Sequence, residues 1–459
     1  MKPHILIFTL SLLSATIRVA GQEVLDLTRC REMALQYNKE IASSAKQTES
    51  ARYMVKSYKG LFFPNLCLNG TGLYSTANDN IHFAGGNLPV LTPTATGQLI
   101  PNGSFAYFPG LDIDYKVGPV FLGGIHLEQP LYMGGKIRAA YKMSELGHEM
   151  AQMNETLTAT NIILQTDEAY VMVIKAQEMK KVAEKYRSLL QELYRNVESA
   201  RKHGLKPQND VLKVQVKLNE SELSLRKAEN ALRLAKMNLC HYIGKPLDTP
   251  IVVSDHFPEF ETRPVAADAD ITARPEYDIL HKQVDIAQQQ IKLNRSELLP
   301  QVGLMGAYEY LNGLKLNNEK LFNNGSFSVM LNVSIPLYHF GERTNKVKAA
   351  KARLEQSRLS QENLNEQMRL ELAQAGNNLE EARLESELAD RSLAQAEENL
   401  KVSKSQYDVG LEPLSDHLEA QALWQQAYET SVDARFQHYL SYIKYQKATG
   451  TLARDLSPQ

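Results

Sequence analysis

The residues of this chain that could do chemistry are few, and the most suggestive are two carboxylates, Asp416 and Glu419. At i and i+3 on a helix they would share one face and concentrate negative charge there. A structural explanation is also available, because the helix dipole favours acidic residues in a first turn. The histidines are scattered, and the sequence contains neither HExxH nor GxSxG. The sequence therefore predicts no catalytic residue, no cofactor and no metal site, and argues against an enzyme.

Charge and cysteine content limit the classes of function that the sequence supports. Lysine and arginine number 51 against 53 acidic residues, a formal net charge of −2 at pH 7 that gives no support to nucleic-acid binding. Cys30, Cys67 and Cys240 lack the CxxC spacing of a redox or metal motif. One disulfide with a spare thiol and three unpaired, packed cysteines both remain open.

The first residues have the pattern of a secretory signal peptide. Lys2 precedes an apolar run at 5–13 that is too short to span a bilayer, and small residues fit a cleavage site after Gly21. Beyond this segment no stretch approaches the ~18 apolar residues of a transmembrane helix. We expect the mature chain either to be soluble in the periplasm or to enter a membrane as β-strands.

The chain contains a long internal repeat. PLYMGG at 130–135 recurs as PLYHFG at 336–341, an offset of 206 residues, whereas LFFPNLCLNGTGLY at 61–74 matches ELLPQVGLMGAYEY at 297–310 with an offset of 236. The first copy therefore carries 30 additional residues, which fall within 76–117. That stretch is rich in Gly, Pro and Asn without clean periodicity, which predicts a long loop. Each half has the order helix, strand, strand, very long helix, helix.

Strand patterning is clearest at 325–336, where apolar and mostly polar residues alternate. The same alternation occurs at 300–310 and within 61–74, and more weakly at 119–130. Each run has about ten residues, the length of a tilted transmembrane strand, although a half-buried sheet in a soluble domain would look similar. Four strands cannot close a barrel, and open edges are excluded from lipid, so three chains supplying twelve strands would be needed.

The helical segments are too long for a compact globule. Residues 136–203 and 342–408 contain no proline and one glycine each, which predicts helices of about 100 Å at 1.5 Å per residue. Each is followed by a turn and a further helix, at 210–243 and 414–449. Their apolar residues form a narrow stripe, and such a stripe packs helices side by side in a coiled-coil assembly.

With these features, the sequence resembles the TolC-like outer-membrane factor family of efflux and secretion channels. The resemblance covers nearly all of residues 23–450. It rests on QPLYMGGKIRAA and IPLYHFGERTNKVKAA at the strand-to-helix joins, and on the turns HGLKPQNDVL and VGLEPLSDHL. It implies a mainly α fold with a small transmembrane β part and a duplicated helix-strand-strand-helix-helix unit. A trimer of such chains would form a 12-stranded β-barrel continued by a long α-helical barrel.

The repeat and the resemblance divide the chain into nine segments. The first four are a signal peptide at 1–21, a first helix at 22–60, a first β-hairpin at 61–132 with the extracellular loop insert 76–117, and a first long helical hairpin at 133–243 with its tip at 203–209. The others are an equatorial linker at 244–272, a helix at 273–297, a second β-hairpin at 298–338, a second long helical hairpin at 339–450 with its tip at 409–413, and a tail at 451–459.

The resemblance also implies a function. Such channels are homotrimers in the outer membrane of Gram-negative bacteria, in contact with its lipid and with most of their mass in the periplasm. They export small molecules or secreted polypeptides together with a periplasmic adaptor and, through it, an inner-membrane transporter. The alternative is a periplasmic coiled-coil adaptor or structural protein that never enters a membrane.

By the same resemblance, Asp416, Glu419 and Tyr407 match a periplasmic gate in which acidic rings face the channel axis. Adaptor-docking tips match the turn residues Gly204, Leu205, Val409, Gly410 and Leu411. The two glycines have a second explanation, because glycine commonly ends a helix in the left-handed conformation. Glu412 stands where some relatives carry a basic latch residue, so any latch here is built differently. Asp210 is expected to cap the start of its helix.

Overall fold

The computed structural model describes residues 24–254, 256–258, 260, 270–317, 319–321 and 324–454. The predicted signal peptide at 1–21, residues 261–269 of the predicted linker and residues 455–459 of the tail lie outside this range. The chain forms two compact units. Unit 1 comprises Met1–Glu49, Glu149–His281 and Leu359–Gln459, and unit 2 comprises Ser50–His148 and Lys282–Arg358.

Helices make up most of the described chain. The described residues contain eight α-helices: α1 Leu27–Tyr37, α2 Lys39–Gly60, α3 Lys136–Lys202, α4 Gln208–Tyr242, α5 Pro275–Ser296, α6 Glu342–Asp408, α7 Leu414–Ala448 and α8 Thr451–Arg454. The two longest, α3 and α6, have 67 residues each, and each is followed by a helix of 35 residues, α4 or α7. The long helices end within one residue of the segments that proline-free runs predict. Of the helices in the described part of the chain, none is both long and apolar enough to cross a membrane.

Unit 1 has a core built from several helices. Its fully buried side chains include Ile174 of α3, Leu239 of α4 and Ile443 of α7. Two short strands, β1 Val24–Leu25 and β7 Val252–Val253, pair in parallel beside it, so part of the predicted linker is tied into this unit.

One buried ion pair joins the first helix of unit 1 to α3. Arg31 Nε donates to Asp167 Oδ1 at 2.7 Å, and a second nitrogen of Arg31 donates to Oδ2. The side chain of Asp167 is 1% exposed. A buried carboxylate needs such a partner because desolvation penalises an isolated charge.

The three cysteines are unpaired. Cys30 and Cys240 are buried in the unit 1 core, and Cys67 lies half-buried in a strand of unit 2. Burial is the largest of the causes that raise the pKa of the Cys30 thiol to about 12. Of the two explanations that the sequence leaves open, three free cysteines is the one observed.

The strands of unit 2 are β2 Asn65–Leu73, β3 Asn78–Phe83, β4 Gly86–Pro93, β5 Leu99–Phe108, β6 Leu111–Met133, β8 Gln301–Leu316, β9 Glu319–Leu321 and β10 Gly325–Ser334. Four of them form the main path of an antiparallel sheet, in the order β10-β8-β6-β2. β3 also pairs with β6, and β9 with β8. In the described residues, the outer edges of β2 and β10 have no neighbouring strand.

The strand register aligns the apolar residues of all four main strands on one face. Phe327 lies opposite Tyr308, Tyr308 opposite Ile125, and Ile125 opposite Leu68. These four side chains are 74%, 54%, 48% and 81% exposed in the same order. The adjacent row on the other face reads Ser326, Glu309, Gly124 and Asn69. The sheet therefore has one apolar face and one polar face, and the described residues of the chain leave the apolar face uncovered.

The prediction of a long loop at 76–117 is wrong, because most of this insert forms β-strands. This insert contains β3, the hairpin of β4 and β5, and the first residues of β6, which begins at Leu111 and not near residue 119. Every residue of β3 and β5 is exposed. Period-two patterning arises where one face of a strand is buried, so strands exposed on both faces leave no such signal in the sequence.

Candidate functional site at the helical tips

The first tip is a tight turn between α3 and α4. Leu205 N–H donates to the carbonyl of Ala200 at 2.9 Å, and Gly204 N–H donates to the carbonyl of Arg201 at 2.9 Å. This pair of bonds is the Schellman arrangement, which places Gly204 in the left-handed region at φ 77°. Only glycine adopts that conformation without steric cost.

The second tip repeats the first. Leu411 N–H donates to the carbonyl of Gln406 at 2.9 Å, Gly410 N–H donates to that of Tyr407 at 3.0 Å, and Gly410 has φ 80°. Pro413 precedes α7 with φ −74° and ψ 157°, matching Pro207 before α4 at −74° and 158°. The duplicated sequence therefore produces two equivalent turns.

Helix capping explains the tip glycines but not the apolar residues beside them. Leu205, Val409 and Leu411 are 76%, 70% and 80% exposed. In a Schellman turn the residue after the glycine frequently packs back on its own helix, which these leucines do not do. Each tip therefore presents an uncovered apolar side chain to solvent.

Asp210 does not cap its helix, contrary to expectation. Pro207 occupies the N-cap position of α4 without a side-chain bond, and Asp210 lies in the first turn. The rigid φ of proline sets the helix start, so the carboxylate is left to interact with the helix dipole.

Asp416 and Glu419 lie on the exposed side of the first turns of α7. Asp416 accepts a hydrogen bond from the neighbouring Ser415 hydroxyl at 2.8 Å. Neither carboxylate forms an ion pair with a cation of the described residues. Because Leu414 and His417 are buried on the other side of the helix, the two acids share a solvent-facing surface, as their spacing predicts.

Tyr407 packs on the buried side of the tip, beside the cluster that contains Leu414. Its ring stacks on the imidazole of His417, with centroids 4.9 Å apart and planes at 8°. Lys206 from the first tip places its ammonium 5.1 Å from the Tyr407 centroid. Burial and the charges of Asp210 and Asp408 raise the pKa of the Tyr407 hydroxyl. Tyr407 therefore connects both tips.

A chain of hydrogen bonds runs through His417. Ser403 Oγ donates to Glu412 Oε1 at 2.7 Å and lies 2.9 Å from His417 Nδ1. Since the one serine proton goes to Glu412, Nδ1–H of His417 donates to Ser403 Oγ. His417 Nε2 then accepts from the Gln421 amide at 2.9 Å. The chain ties the turn residue Glu412 to α6 and fixes a neutral imidazole.

The surroundings of His417 favour that neutral form. His417 is 4% exposed, and burial, the largest cause, lowers its pKa below the ordinary 6.5. The negative charges of Glu412 and Asp408 raise the pKa of His417, but by less than burial lowers it. The positive charge of Lys404 lowers it further. Gln421 Oε1 is buried without a hydrogen-bond partner in the described structure.

A salt bridge joins α3 to α6 near this tip. Lys404 Nζ contacts Glu192 Oε1 at 2.9 Å. The pair lowers the pKa of Glu192 and raises that of Lys404, with the mutual hydrogen bond as the largest cause. Both side chains are about half exposed, so solvent screening keeps the contribution of this bridge small.

Sequence reasoning missed Ser403, His417 and Gln421. A signal was present, because His417 and Gln421 share the stripe of α7 that also holds Leu414 and Trp424, all four buried. Polar residues on a buried stripe require hydrogen-bond partners. For metals, no group of three or more His, Cys, Asp or Glu side chains among the described residues could hold an ion.

The sequence matches a known protein family over both halves of the repeat. The family model described as "Outer membrane efflux protein" matches residues 30–245 and 274–451. The chain is 23% identical over 252 residues to the alkaline protease secretion protein AprF of Pseudomonas aeruginosa, covering 52% of this chain and 50% of AprF. It is 22% identical over 262 residues to the outer membrane efflux protein BepC of Brucella suis, covering 57% of each. The matches thus span about half the length of these relatives.

Solved structures share the fold over almost the whole chain. The CmeC outer membrane channel of Campylobacter jejuni superposes with a TM-score of 0.75 at 18% identity, covering 92% of this chain and 85% of CmeC. The outer membrane protein VceC of Vibrio cholerae gives a TM-score of 0.72 at 15% identity, covering 92% and 96%. The predicted fold, mainly α with a smaller β part, is confirmed. With its family match on both halves of the repeat, this chain belongs to the outer membrane efflux protein family.

Proposed function

We propose that this protein is a homotrimeric outer-membrane channel that exports small molecules across the periplasm and the outer membrane. It works with a periplasmic adaptor, which links it to an inner-membrane transporter. Secreted polypeptides are the alternative cargo, supported by the name of AprF, whereas the name of BepC refers to efflux. Membership of the efflux family supports the outer membrane as the location.

The observation that carries the proposal is the uncovered apolar face of the unit 2 sheet. The row from Phe327 to Leu68 crosses all four main strands, and each of its side chains is at least 48% exposed. Such a face is stable in contact with lipid, whereas in water it would aggregate. The unpaired edges of β2 and β10 need partners in a bilayer. Pairing β10 of one chain with β2 of the next would satisfy both edges in a ring of three chains.

The tip residues supply the gate and the docking surface of this channel. Asp416 and Glu419 of three chains would form a ring of up to six negative charges that favours cations. Tyr407 would hold the closed tip through its stack on His417. The docking surface comprises the residues at the turns: Gly204, Leu205, Val409, Gly410 and Leu411. Their exposed apolar side chains fit an adaptor that covers them.

The first test is the mass of the mature protein extracted in mild detergent, measured by light scattering with the detergent contribution subtracted. A mass near three chains, with conductance in planar bilayers, is expected. A monomer or dimer in the soluble periplasmic fraction would instead support the coiled-coil adaptor and overturn the channel.

A further inference from the structure

A basic cavity lies in unit 2 where the first strands end and the first long helix begins. Its volume is about 800 Å³, and its walls come from the start of α3 and the end of α5. Four cationic side chains line it: Arg138, Lys142, Lys292 and Arg295. Tyr141 and Leu299 add an aromatic and an apolar surface.

A close backbone contact assembles this cavity. Gly134, which joins β6 to α3, has φ 61°, and a Cβ at this position would lie 2.6 Å from the carbonyl oxygen of Ser296. No larger residue fits there without displacing the end of α5. The glycine therefore brings the first turn of α3 against the last turn of α5, and with them the cations of both helices.

Most of the positive charge in the cavity is not neutralised by acids in the described part of the chain. Glu145 is the one acidic residue among those that line the cavity, and its Oε2 lies 3.1 Å from Lys142 Nζ. Arg138, Lys292 and Arg295 form no ion pair with an acid among the residues that the structure describes. All three side chains are exposed and therefore accessible to a ligand in solution.

The position of Arg138 is unfavourable without an anion. It lies in the first turn of α3, which contains no acidic residue. The helix dipole disfavours cations at that end and favours anions. Arg295, in contrast, occupies the last turn of α5, where the dipole favours a cation, so its presence alone would mean little. Arg138 is therefore the residue that points to a bound anion.

The second half of the repeat does not reproduce this arrangement. Thr344 stands at the position equivalent to Arg138, and α6 begins with the acidic Glu342. There, Lys346 is neutralised by Glu342 at 2.7 Å and by Glu297 at 3.3 Å. The excess positive charge thus belongs to the join between β6 and α3.

We propose that this cavity binds the headgroup of an anionic phospholipid at the periplasmic surface of the outer membrane. The inference rests on the proposed function, because it requires the sheet to lie in a bilayer. Basic pockets at the ends of membrane-spanning segments bind lipid phosphates, while neighbouring aromatic side chains settle at the interface. Leu131 and Tyr132 at the end of β6 are 56% and 48% exposed and lie beside the join, where an acyl chain would run.

The test counts phosphatidylglycerol and phosphatidylcholine bound to the purified, delipidated full-length protein by native mass spectrometry. The wild type is expected to retain phosphatidylglycerol in preference. The variant Arg138→Gln/Lys292→Gln/Arg295→Gln should lose that preference by about tenfold or more, because each cation near a membrane surface contributes to anion binding. Lys346→Gln, which removes a neutralised cation at the equivalent join, should keep it.

Two outcomes would overturn the lipid site: equal retention of both lipids by the wild type, or an unchanged preference in the triple variant. Complete displacement of the lipid by inorganic phosphate would assign the cavity to a free anion instead. Mass and bilayer conductance are measured on the same samples. A wild type that is trimeric and conducts but shows no lipid preference contradicts this inference alone, whereas loss of trimer and conductance contradicts the proposed function.

Discussion

Tyr407 and His417 lie face to face across the second tip, with ring centroids 4.9 Å apart and planes at 8°. One ring belongs to the last turn of α6 and the other to the first turns of α7. The stack therefore holds the two helices of this hairpin together next to the turn that carries Leu411. Among the described residues the Tyr407 hydroxyl has no hydrogen-bond partner, so the ring itself makes the contact.

Tyr407→Ala should open the tip, whereas Tyr407→Phe should behave as the wild type. Alanine removes the stack and leaves the buried imidazole uncovered, and an aromatic pair contributes about 0.5–1.5 kcal/mol beyond its buried area. Single-channel recording should show a higher open fraction for Tyr407→Ala. Equal open fractions for the two variants would mean that the stack does not restrain the tip.

Acidification should favour tip opening through His417. In the packed tip of this structure the pKa of His417 lies below 6.5, so between 6.5 and that lowered value a solvated imidazole takes up a proton that the packed one does not. The packed tip therefore loses stability as pH falls through this window. Below the lowered pKa both forms are protonated, and no further loss occurs. Above pH 6.5 both forms are neutral, and His417 contributes no pH dependence.

The measurement is open probability in planar bilayers as pH falls from about 7.5 to 5, around the range in which histidine titrates. His417→Gln removes the titrating group and should abolish the part of the pH response that depends on it. A response of the same size in His417→Gln would place the proton elsewhere, for example on His438, whose pKa is also lowered by burial.

The contrast between helix ends and the hydrogen-bond chain shows what sequence could predict. Helix ends follow from local chemistry: glycine at φ 77° or 80° stops α3 and α6, and proline starts α4 and α7. The partner of His417, in contrast, is Ser403, which lies 14 positions away on another helix. A tertiary contact of this kind depends on how two helices align, and periodicity within one helix does not contain that information.

The insert at 76–117 was mispredicted for a different reason. Ile81 lies opposite Ile113 in a regular ladder, yet β3 is exposed along its whole length. Backbone pairing with β6 stabilises this strand without requiring an apolar phase. The sequence was therefore informative where burial selects residue types and uninformative where hydrogen bonding alone defines the strand.

Asp416→Asn with Glu419→Gln should reduce cation selectivity. Both carboxylates are exposed and free of cationic partners in the described structure, so neutralising them removes charge without disturbing packing. The reversal potential in a KCl gradient should shift towards zero, and the difference from the wild type should shrink at high salt. Glu362→Gln, an exposed acid in the long helix α6, is the matched control. Unchanged selectivity in the double variant would exclude an acidic ring at these positions as the source of cation selectivity.

Leu205→Lys with Leu411→Lys should abolish export while leaving the protein folded. The two leucines are 76% and 80% exposed, so the folded chain loses little buried surface, and exposed substitutions usually stay within about 0.5 kcal/mol. A lysine at each tip would place a charge in an apolar adaptor contact. Leu359→Lys, at a 59% exposed position of α6 away from the tips, should export normally. Full export by the tip variant, measured as cargo accumulation in cells, would exclude these leucines from docking.

Arg31→Met should destabilise unit 1 more than removal of the whole ion pair. Burial, the largest cause, raises the pKa of Asp167 despite its bond to Arg31, which indicates that the pair only partly offsets the desolvation of the carboxylate. Breaking a buried pair costs about 3–5 kcal/mol because one charge is left without a partner. Arg31→Met/Asp167→Leu leaves no such charge and should recover most of the lost melting temperature. Glu32→Gln, which breaks the exposed salt bridge between Arg29 and Glu32, should change the melting temperature little. A double variant as unstable as Arg31→Met would show that the bidentate bond itself, and not the orphaned charge, accounts for the loss.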